Sequence, residues 1–86
     1  GAADPSEAET SGAHALATRF GAAVRRLREA AGLSQDAYAL ATGLHRTYVG
    51  RVERGEVNVT LASADRLARA LGLTAGALVM AAEGVD

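Results

Sequence analysis

The stretch at residues 33–55 reads LSQDAYALATGLHRTYVGRVERG and predicts two short helices joined by a tight turn. Ser34 is a good N-cap residue, and Asp36 falls in the first turn of the helix that follows, where a negative charge is favourable. Gly43 is expected to end this helix, because the residue after a helix often adopts a left-handed conformation that glycine reaches without strain. A second short helix is predicted over 45–54.

Helical patterns continue on both sides of this stretch. Leu16 and Phe20 begin an apolar stripe that repeats every three or four residues, as one face of a helix does. Thr60 is expected to cap a fourth helix, and Thr74 begins a fifth. The helices are predicted over 15–31, 34–42, 45–54, 60–71 and 74–80.

These helices make up one folded domain. Residues 1–14 are polar and acidic and contain the one proline, so we predict a disordered acidic lead-in there, followed by the domain at 15–80 and a short C-terminal tail at 81–86. Within the domain, Tyr38 is expected to contribute its ring to the core and to keep its hydroxyl at the surface.

The composition points to a soluble helical protein. Hydrophobic residues make up 49% of the 86-residue chain, and half of them are alanine, which suits closely packed short helices. The chain has no cysteine, so neither a disulfide nor a thiolate metal site is available. Its longest apolar run is far shorter than the roughly 20 residues that span a bilayer. We therefore expect a soluble, cytoplasmic, all-α protein with no membrane association.

Charge is unevenly distributed along the chain. All nine arginines lie between residues 19 and 69, whereas half of the ten acidic residues lie in 1–12 and 81–86. The central segment is therefore basic, although the whole chain has a formal charge of −1. Acidic ends beside a basic segment are typical of a surface that binds nucleic acid or another anionic partner. Solvated helix faces would give the same pattern, so charge alone leaves both interpretations open.

The second short helix has one apolar side and one side rich in hydrogen-bond donors. At 100° per residue, Val49 and Val52 fall on one side, which we assign to the core. Gly50 lies in the middle of the other side, where it costs the helix roughly 1 kcal/mol relative to alanine. Close approach to a phosphate or base edge would explain this glycine, as would close contact with another helix; we favour the first explanation. The donor-rich side also carries Arg46, Thr47, Arg51 and Arg54.

The sequence at 33–55 resembles the helix-turn-helix of the lambda-repressor/Cro-like (XRE) regulators, and the resemblance extends over 16–78. It implies a five-helix, all-α, lambda-repressor-like DNA-binding domain. The residues at 46–48 and 58–61 are further similar to the controller proteins of restriction-modification systems, a similarity that stand-alone regulators of other operons share. The positions that carry the broader resemblance are Gln35, Ala39, Gly43, Val49, Val52 and 53–55.

The resemblance implies DNA contacts for the polar residues of the motif. The second motif helix would enter the major groove, where Arg46, Thr47 and Arg51 would read base edges. Other residues would hold phosphates, which fixes the position of the protein without reading sequence. Those residues would be Gln35, Tyr48 and Asn58, together with Arg54, which could contact either a base or a phosphate.

Three positions have structural alternatives. In the family, the position of Glu53 pairs with an arginine on the first helix, which here is Arg28. Tyr48 could equally pack between helices. His45 stands where the family more often has aspartate, serine or threonine, so its role as a helix cap is open, and a protonated imidazole could instead contact a phosphate.

A regulator of this kind would act as a homodimer on a palindromic operator, because one small copy reads few base pairs. We place the dimer surface on the fifth helix and its surroundings, where the apolar side chains exceed what a small monomer can bury, with Val85 extending the patch. The alternative is that these residues close the monomer core. The expected interface residues are Leu73, Leu78, Val79 and Met80.

Catalysis, metals and cofactors are not expected. Two isolated histidines without cysteine cannot form a usual zinc site, and no nucleotide-binding or hydrolase motif is present. We therefore expect a transcriptional regulator that occupies a promoter and either blocks RNA polymerase or contacts it. The competing hypothesis is a protein-interaction module, such as an antitoxin or the targeting domain of a longer protein. Alanine at Arg46 and Arg51 would separate the two hypotheses, since DNA binding alone depends on them.

Overall fold

The computed structural model describes residues 5–84, with side chains from residue 12 onward, and contains five helices joined by short loops and no strand in that range. This agrees with the predicted five-helix, all-α fold. No helix over residues 5–84 combines the length and the apolar character needed to cross a membrane. The helices are α1 (Pro5–Ala30), α2 (Gln35–Thr42), α3 (Arg46–Glu53), α4 (Leu61–Arg69) and α5 (Ala75–Ala82).

Side-chain caps start the four short helices. The hydroxyls of Ser34, Thr60 and Thr74 each accept a hydrogen bond from the backbone N–H three residues on, at 3.0, 3.1 and 3.0 Å. His45 also caps α3, because its Nδ1 accepts from the N–H of Thr47, two residues on, at 3.0 Å. An imidazole accepts at Nδ1 only when that atom carries no proton, so the cap selects one tautomer of His45.

The N-terminal helix is longer than predicted. It begins at Pro5 rather than near residue 15, so residues 5–14 are helical and not a disordered lead-in, while residues 1–4 lie outside the described part of the chain. Proline fits the first turn of a helix because its missing N–H has no helical partner there. Alanine and glutamate, which are frequent in this segment, favour a helix. The apolar stripe begins at Leu16, so periodicity gave no sign of the earlier turns.

One core joins all five helices, and it includes the Tyr38 hydroxyl. Contrary to the expectation that this hydroxyl reaches the surface, it is buried and donates to Leu67 O at 2.6 Å. The Leu71 N–H bonds to Ala68 O instead of to Leu67 O, so the tyrosine satisfies a carbonyl that the end of α4 leaves free. Burial raises the pKa of Tyr38 well above its usual range. The largest fully buried side chains are Tyr38, Leu67, Leu78, Val24, Val49 and Val52.

Helix α1 packs directly against the end of α3 because Gly21 has no side chain. A Cβ at this position would overlap the carbonyl oxygen of Val52 and would lie 2.9 Å from that of Glu53. One turn earlier, Thr18 approaches Gly55 so closely that a Cβ on Gly55 would lie 2.8 Å from Thr18 Cα. These close approaches fix the end of α3 relative to α1.

Candidate nucleic-acid interface

Helix α3 separates core residues from donor residues as its periodicity predicts. Val49 and Val52 are 0% and 1% exposed and belong to the core. The polar side chains on the opposite side are exposed, so the α2–α3 pair presents them to a partner. We call these four residues the donor face: Arg46, Thr47, Arg51 and Arg54.

Arg46 forms an ion pair across the turn between the two motif helices. Its Nε lies 2.8 Å from Oδ1 of Asp36, which is in the first turn of α2. The side chains are 63% and 73% exposed, so water surrounds the pair. Arg46 therefore begins α3 with its terminal nitrogens available to a ligand.

Arg54 lies back over Gly50 and is held there by Glu56. Its Nε donates to Glu56 Oε2, and this hydrogen bond raises the pKa of Arg54 and lowers the pKa of Glu56. A Cβ on Gly50 would meet Arg54 Nη1 at 3.2 Å and would next approach Gln35 Oε1 at 4.0 Å. Within the described residues, no backbone of another helix comes that close, so helix packing does not explain this glycine. Within the protein, Gly50 makes room for the Arg54 guanidinium.

Arg51 and Thr47 are the unengaged members of the donor face. Both are exposed. No ion pair or side-chain hydrogen bond of Arg51 occurs within residues 12–84. The Thr47 backbone N–H is used by the His45 cap, while its side chain forms no hydrogen bond within residues 12–84. These two side chains can meet a ligand without breaking a contact.

Arg28, Glu53 and Gln35 form a network behind the donor face. Arg28 Nε and Nη2 donate to the two oxygens of Glu53 at 2.6 and 3.0 Å, and Arg28 Nη1 donates to Leu33 O at 2.8 Å. The Glu53 carboxylate also accepts from Gln35 Nε2 at 3.0 Å, and the Glu53 side chain is 3% exposed. The hydrogen bond to Glu53 raises the pKa of Arg28. The structure thus brings the predicted ion pair together and uses one amide N–H of Gln35 to complete it.

Tyr48 and Asn58 occupy different environments. Tyr48 is half-buried and packs against the core, so most of its ring has a structural role. Asn58 is exposed in the loop between α3 and α4. It lines a shallow cavity with His14 of α1 and Glu56. Asn58 therefore belongs to the loop that follows α3 and not to α3 itself.

Comparison with known proteins decides the family. The helix-turn-helix family model (HTH_3) matches residues 24–78, more than half of the chain. The chain belongs to the helix-turn-helix family. The predicted resemblance to XRE-type regulators is confirmed, and with it the assignment of the chain to DNA-binding transcriptional regulators.

Several relatives within the helix-turn-helix family are named as control proteins. The chain is 54% identical over 48 residues to control protein C.SmaI of Serratia marcescens, an alignment that spans 56% of this chain and 57% of that protein. It is 40% identical over 55 residues to control protein C.BamHI of Bacillus amyloliquefaciens, spanning 63% and 68%. The names describe regulators rather than enzymes, as the sequence led us to expect.

A solved helix-turn-helix structure is similar over most of the fold. The restriction-modification controller protein C.AhdI from Aeromonas hydrophila superposes with a TM-score of 0.69 at 47% sequence identity. The match covers 72% of this chain and 94% of that one. The similarity therefore includes the motif helices and the helices that support them.

Part of the predicted dimer patch lies inside this helix-turn-helix domain. Leu78 is 0% exposed, so its assignment to a dimer interface is wrong: with Ala82, one turn later, it faces the core and closes the monomer. Leu73 is half-buried against the same core. Val79 and Met80 are 38% and 45% exposed and remain available. Helix α5 continues to Ala82, two residues into the predicted tail, and Val85 lies outside the described residues.

An apolar groove, which sequence patterns did not predict, adjoins the exposed part of this patch. The groove has a volume of about 240 Å³ and is lined in part by Leu16, Phe20, Leu61 and Val79. Leu61, the first residue of α4, is 85% exposed, so its side chain lies outside the core that Ala64 and Leu67 of the same helix join.

Proposed function

We propose that this protein is a sequence-specific transcriptional regulator that binds a palindromic operator as a homodimer, with α3 in the major groove. The observation that carries the proposal is the exposure of Arg46, Thr47 and Arg51 on the side of α3 opposite the buried valines. In helix-turn-helix proteins the second motif helix lies in the major groove, and its N-terminal residues reach base edges.

Three side chains of the donor face, Arg46, Thr47 and Arg51, would read bases. A guanidinium bonds O6 and N7 of guanine together, and a threonine methyl can pack against the thymine methyl. Arg51 can make such a contact without breaking another, because no side chain among residues 12–84 pairs with it. Arg46 keeps its terminal nitrogens, because its contact with Asp36 runs through Nε.

Phosphate contacts would come from residues around the donor face. Gln35 uses one N–H of its amide for Glu53, which leaves the second for a phosphate oxygen. Arg54 would reach a phosphate or a base through its terminal nitrogens while its Nε stays bound to Glu56, and Gly50 would allow close approach of the duplex. Tyr48, through its hydroxyl, and Asn58, through its amide, complete this set. Such contacts fix the register of the protein on the duplex.

The homodimer would form through the exposed apolar surface near α5. Val79 and Met80 are exposed there, and the groove beside them adds Leu16 and Leu61. A two-fold dimer implies two half-sites in opposite orientation, with their centres about one helical turn, or ~34 Å, apart. The dimer surface that we propose is therefore smaller on α5, and extends further onto α1 and α4, than the sequence suggested.

The control-protein relatives suggest the regulatory setting. We propose that this protein acts, in the cytoplasm, as a controller of restriction-modification genes, since C.SmaI, C.BamHI and C.AhdI are named as such or as control proteins. Occupancy of the operator would regulate transcription, either by blocking RNA polymerase or by contacting it from a suitably placed site.

Selection of bound sites from random duplex DNA tests this function. The proposal predicts enrichment of a two-fold symmetric consensus with guanines at positions that lose their preference when Arg46 or Arg51 is replaced by alanine. Sedimentation at micromolar concentration should detect a dimer. Failure to enrich any sequence would contradict the function, and enrichment of an asymmetric site by a monomer would contradict its dimeric form.

A further inference from the structure

The donor face carries two carboxylates of its own chain. Arg46 Nε contacts Asp36 Oδ1 at 2.8 Å, and Arg54 Nε donates to Glu56 Oε2. Arg51 is the one arginine of this face without such a partner in residues 12–84. Three guanidinium groups are therefore accompanied by two carboxylates, which leaves the surface with little net positive charge.

These two ion pairs have no evident structural purpose. The side chains of Arg46 and Asp36 are 63% and 73% exposed, and those of Arg54 and Glu56 are 60% and 45% exposed. Ion pairs exposed to this degree contribute little to folding stability, because water screens them. The buried pair of Arg28 with Glu53 already joins the helices behind the donor face. A role in binding is therefore the simpler explanation for carboxylates at these two positions.

We propose that Asp36 and Glu56 are specificity-determining residues, which compete with DNA phosphates for Arg46 and Arg54 and so weaken binding to non-specific DNA more than binding to the operator. The inference rests on the proposed function, because it requires the donor face to contact DNA. It adds two acidic residues to a site otherwise composed of donors.

Competition from Asp36 and Glu56 would weaken mainly the binding of non-specific DNA. Attraction between basic side chains and phosphates supplies essentially all of the affinity for non-specific DNA. At Arg46 and Arg54, each phosphate contact would have to displace a carboxylate or accept a negative charge nearby. The acids therefore reduce the part of the affinity that carries no sequence information.

The operator complex can keep the pairs. Both contacts run through Nε of the arginine, so the terminal nitrogens remain free to bond a guanine edge. In that geometry Asp36 would hold the Arg46 guanidinium from behind while its far side meets the base. Exclusion of water at the interface would strengthen the same contact, since charges attract more strongly at low dielectric. The competing carboxylate thus becomes a support in the specific complex.

The chain offers matched control positions on other surfaces. Glu29 accepts from Arg25 Nε at 2.7 Å along α1, and Asp65 accepts from Arg69 Nε at 3.1 Å along α4. Both pairs are exposed, as those of the donor face are. Removing these two charges changes the net charge of the protein by the same amount without altering the donor face.

The test compares the double variants D36N/E56Q and E29Q/D65N with the wild type. Dissociation constants are measured for the selected operator and for a random duplex of equal length, at fixed salt. We expect D36N/E56Q to bind the random duplex about 2- to 20-fold more tightly, which is the effect of removing two exposed pairs of ordinary strength. Its affinity for the operator should rise less, so the dissociation constant for the random duplex divided by that for the operator falls. The control variant should keep the wild-type ratio.

The outcomes separate this inference from the proposed function. Equal ratios in the two double variants would overturn the inference alone, since net charge would then be the whole effect. Weaker binding of both duplexes by D36N/E56Q would overturn it as well, because the acids would be aiding all binding. A wild-type protein without any sequence preference would overturn the proposed function together with the inference. Circular dichroism checks folding, and the single variants D36N and E56Q give the same comparison if the double variant unfolds.

Discussion

Arg28 and Glu53 are joined by two hydrogen bonds, from Nε to Oε2 at 2.6 Å and from Nη2 to Oε1 at 3.0 Å, which tie α1 to the last residue of α3. The Glu53 side chain is 3% exposed, and Gln35 occupies one of its oxygens as well. The carboxylate thus links the first three helices at the base of the donor face. It sets the orientation of α3 and therefore of the side chains that would reach DNA.

Glu53→Ala should destabilise the protein strongly, because the Arg28 charge is poorly exposed to water and would lose its partner. We expect a loss of about 3 kcal/mol or more in the free energy of unfolding, as is typical when one member of a buried pair is removed. Urea denaturation measures it. The matched control is Asp65→Ala, which breaks the exposed pair with Arg69 and should cost at most about 1 kcal/mol. Equal losses in the two variants would show that the Arg28–Glu53 pair does not organise the fold.

Gly21 and Gly50 should respond in opposite ways to alanine. Gly21→Ala places a Cβ against the carbonyl oxygen of Val52 and should destabilise the domain by about 1–3 kcal/mol or more. Gly50→Ala meets the end of the flexible Arg54 side chain, which can move, so the gain in helix propensity should stabilise the domain by up to about 1 kcal/mol. Urea denaturation of both variants checks the signs.

The same Gly50 variant tests close approach to DNA. If the duplex packs against α3 at this point, Gly50→Ala should weaken operator binding while stabilising the free protein. Unchanged operator affinity would mean that Gly50 serves only to accommodate Arg54.

The His45 cap should be measurable as a contribution to stability. His45→Ala removes the acceptor for the Thr47 N–H and should cost about 0.5–2 kcal/mol, the usual range for loss of a helix cap. His45→Ser supplies a hydroxyl in the same place and should recover most of the loss. Thermal unfolding at neutral pH compares the three proteins. A serine variant no more stable than the alanine variant would argue against the cap.

The Glu56 carboxyl should titrate below its usual range in the free protein, because the hydrogen bond from Arg54 favours its charged form. A carboxyl with a depressed pKa stabilises the folded state above its unfolded pKa, and that contribution disappears as the pH falls through the folded value. NMR titration of the side-chain carboxyl measures the shift directly. Arg54→Ala should return the pKa to the ordinary range, whereas Arg25→Ala, a change on α1, should leave it depressed.

Sequence periodicity predicted the donor face well because a single helix determines it. Once Val49 and Val52 are inside, the geometry of 3.6 residues per turn places Arg46 and Arg51 outside. The caps at Ser34 and Thr60 were predictable for the same local reason, since a cap involves backbone groups only three residues away.

Features that depend on packing between helices were harder to predict from the sequence. Leu78 looked like surplus apolar area, but whether a leucine of α5 closes the core or faces outward depends on how α1 and α4 pack against it. Gly21 gave no signal, because its partner is the carbonyl of Val52, 31 residues later on α3. The pairing of Asp36 with Arg46 likewise depends on the angle between α2 and α3, which the sequence pattern did not specify.

We propose that the donor face of α3 binds DNA, and the decisive measurement is the affinity of the Arg51→Ala variant for the selected operator. The matched control is Arg26→Ala on α1, since Arg26 is also exposed and forms no ion pair within residues 12–84. We predict that Arg51→Ala weakens operator binding by about 1–3 kcal/mol, or roughly 5- to 150-fold, and relaxes the preference at one base pair of each half-site, while Arg26→Ala changes the affinity by less than about 2-fold. Equal and small losses in the two variants, with the base preference intact, would show that this protein does not read its operator through the donor face.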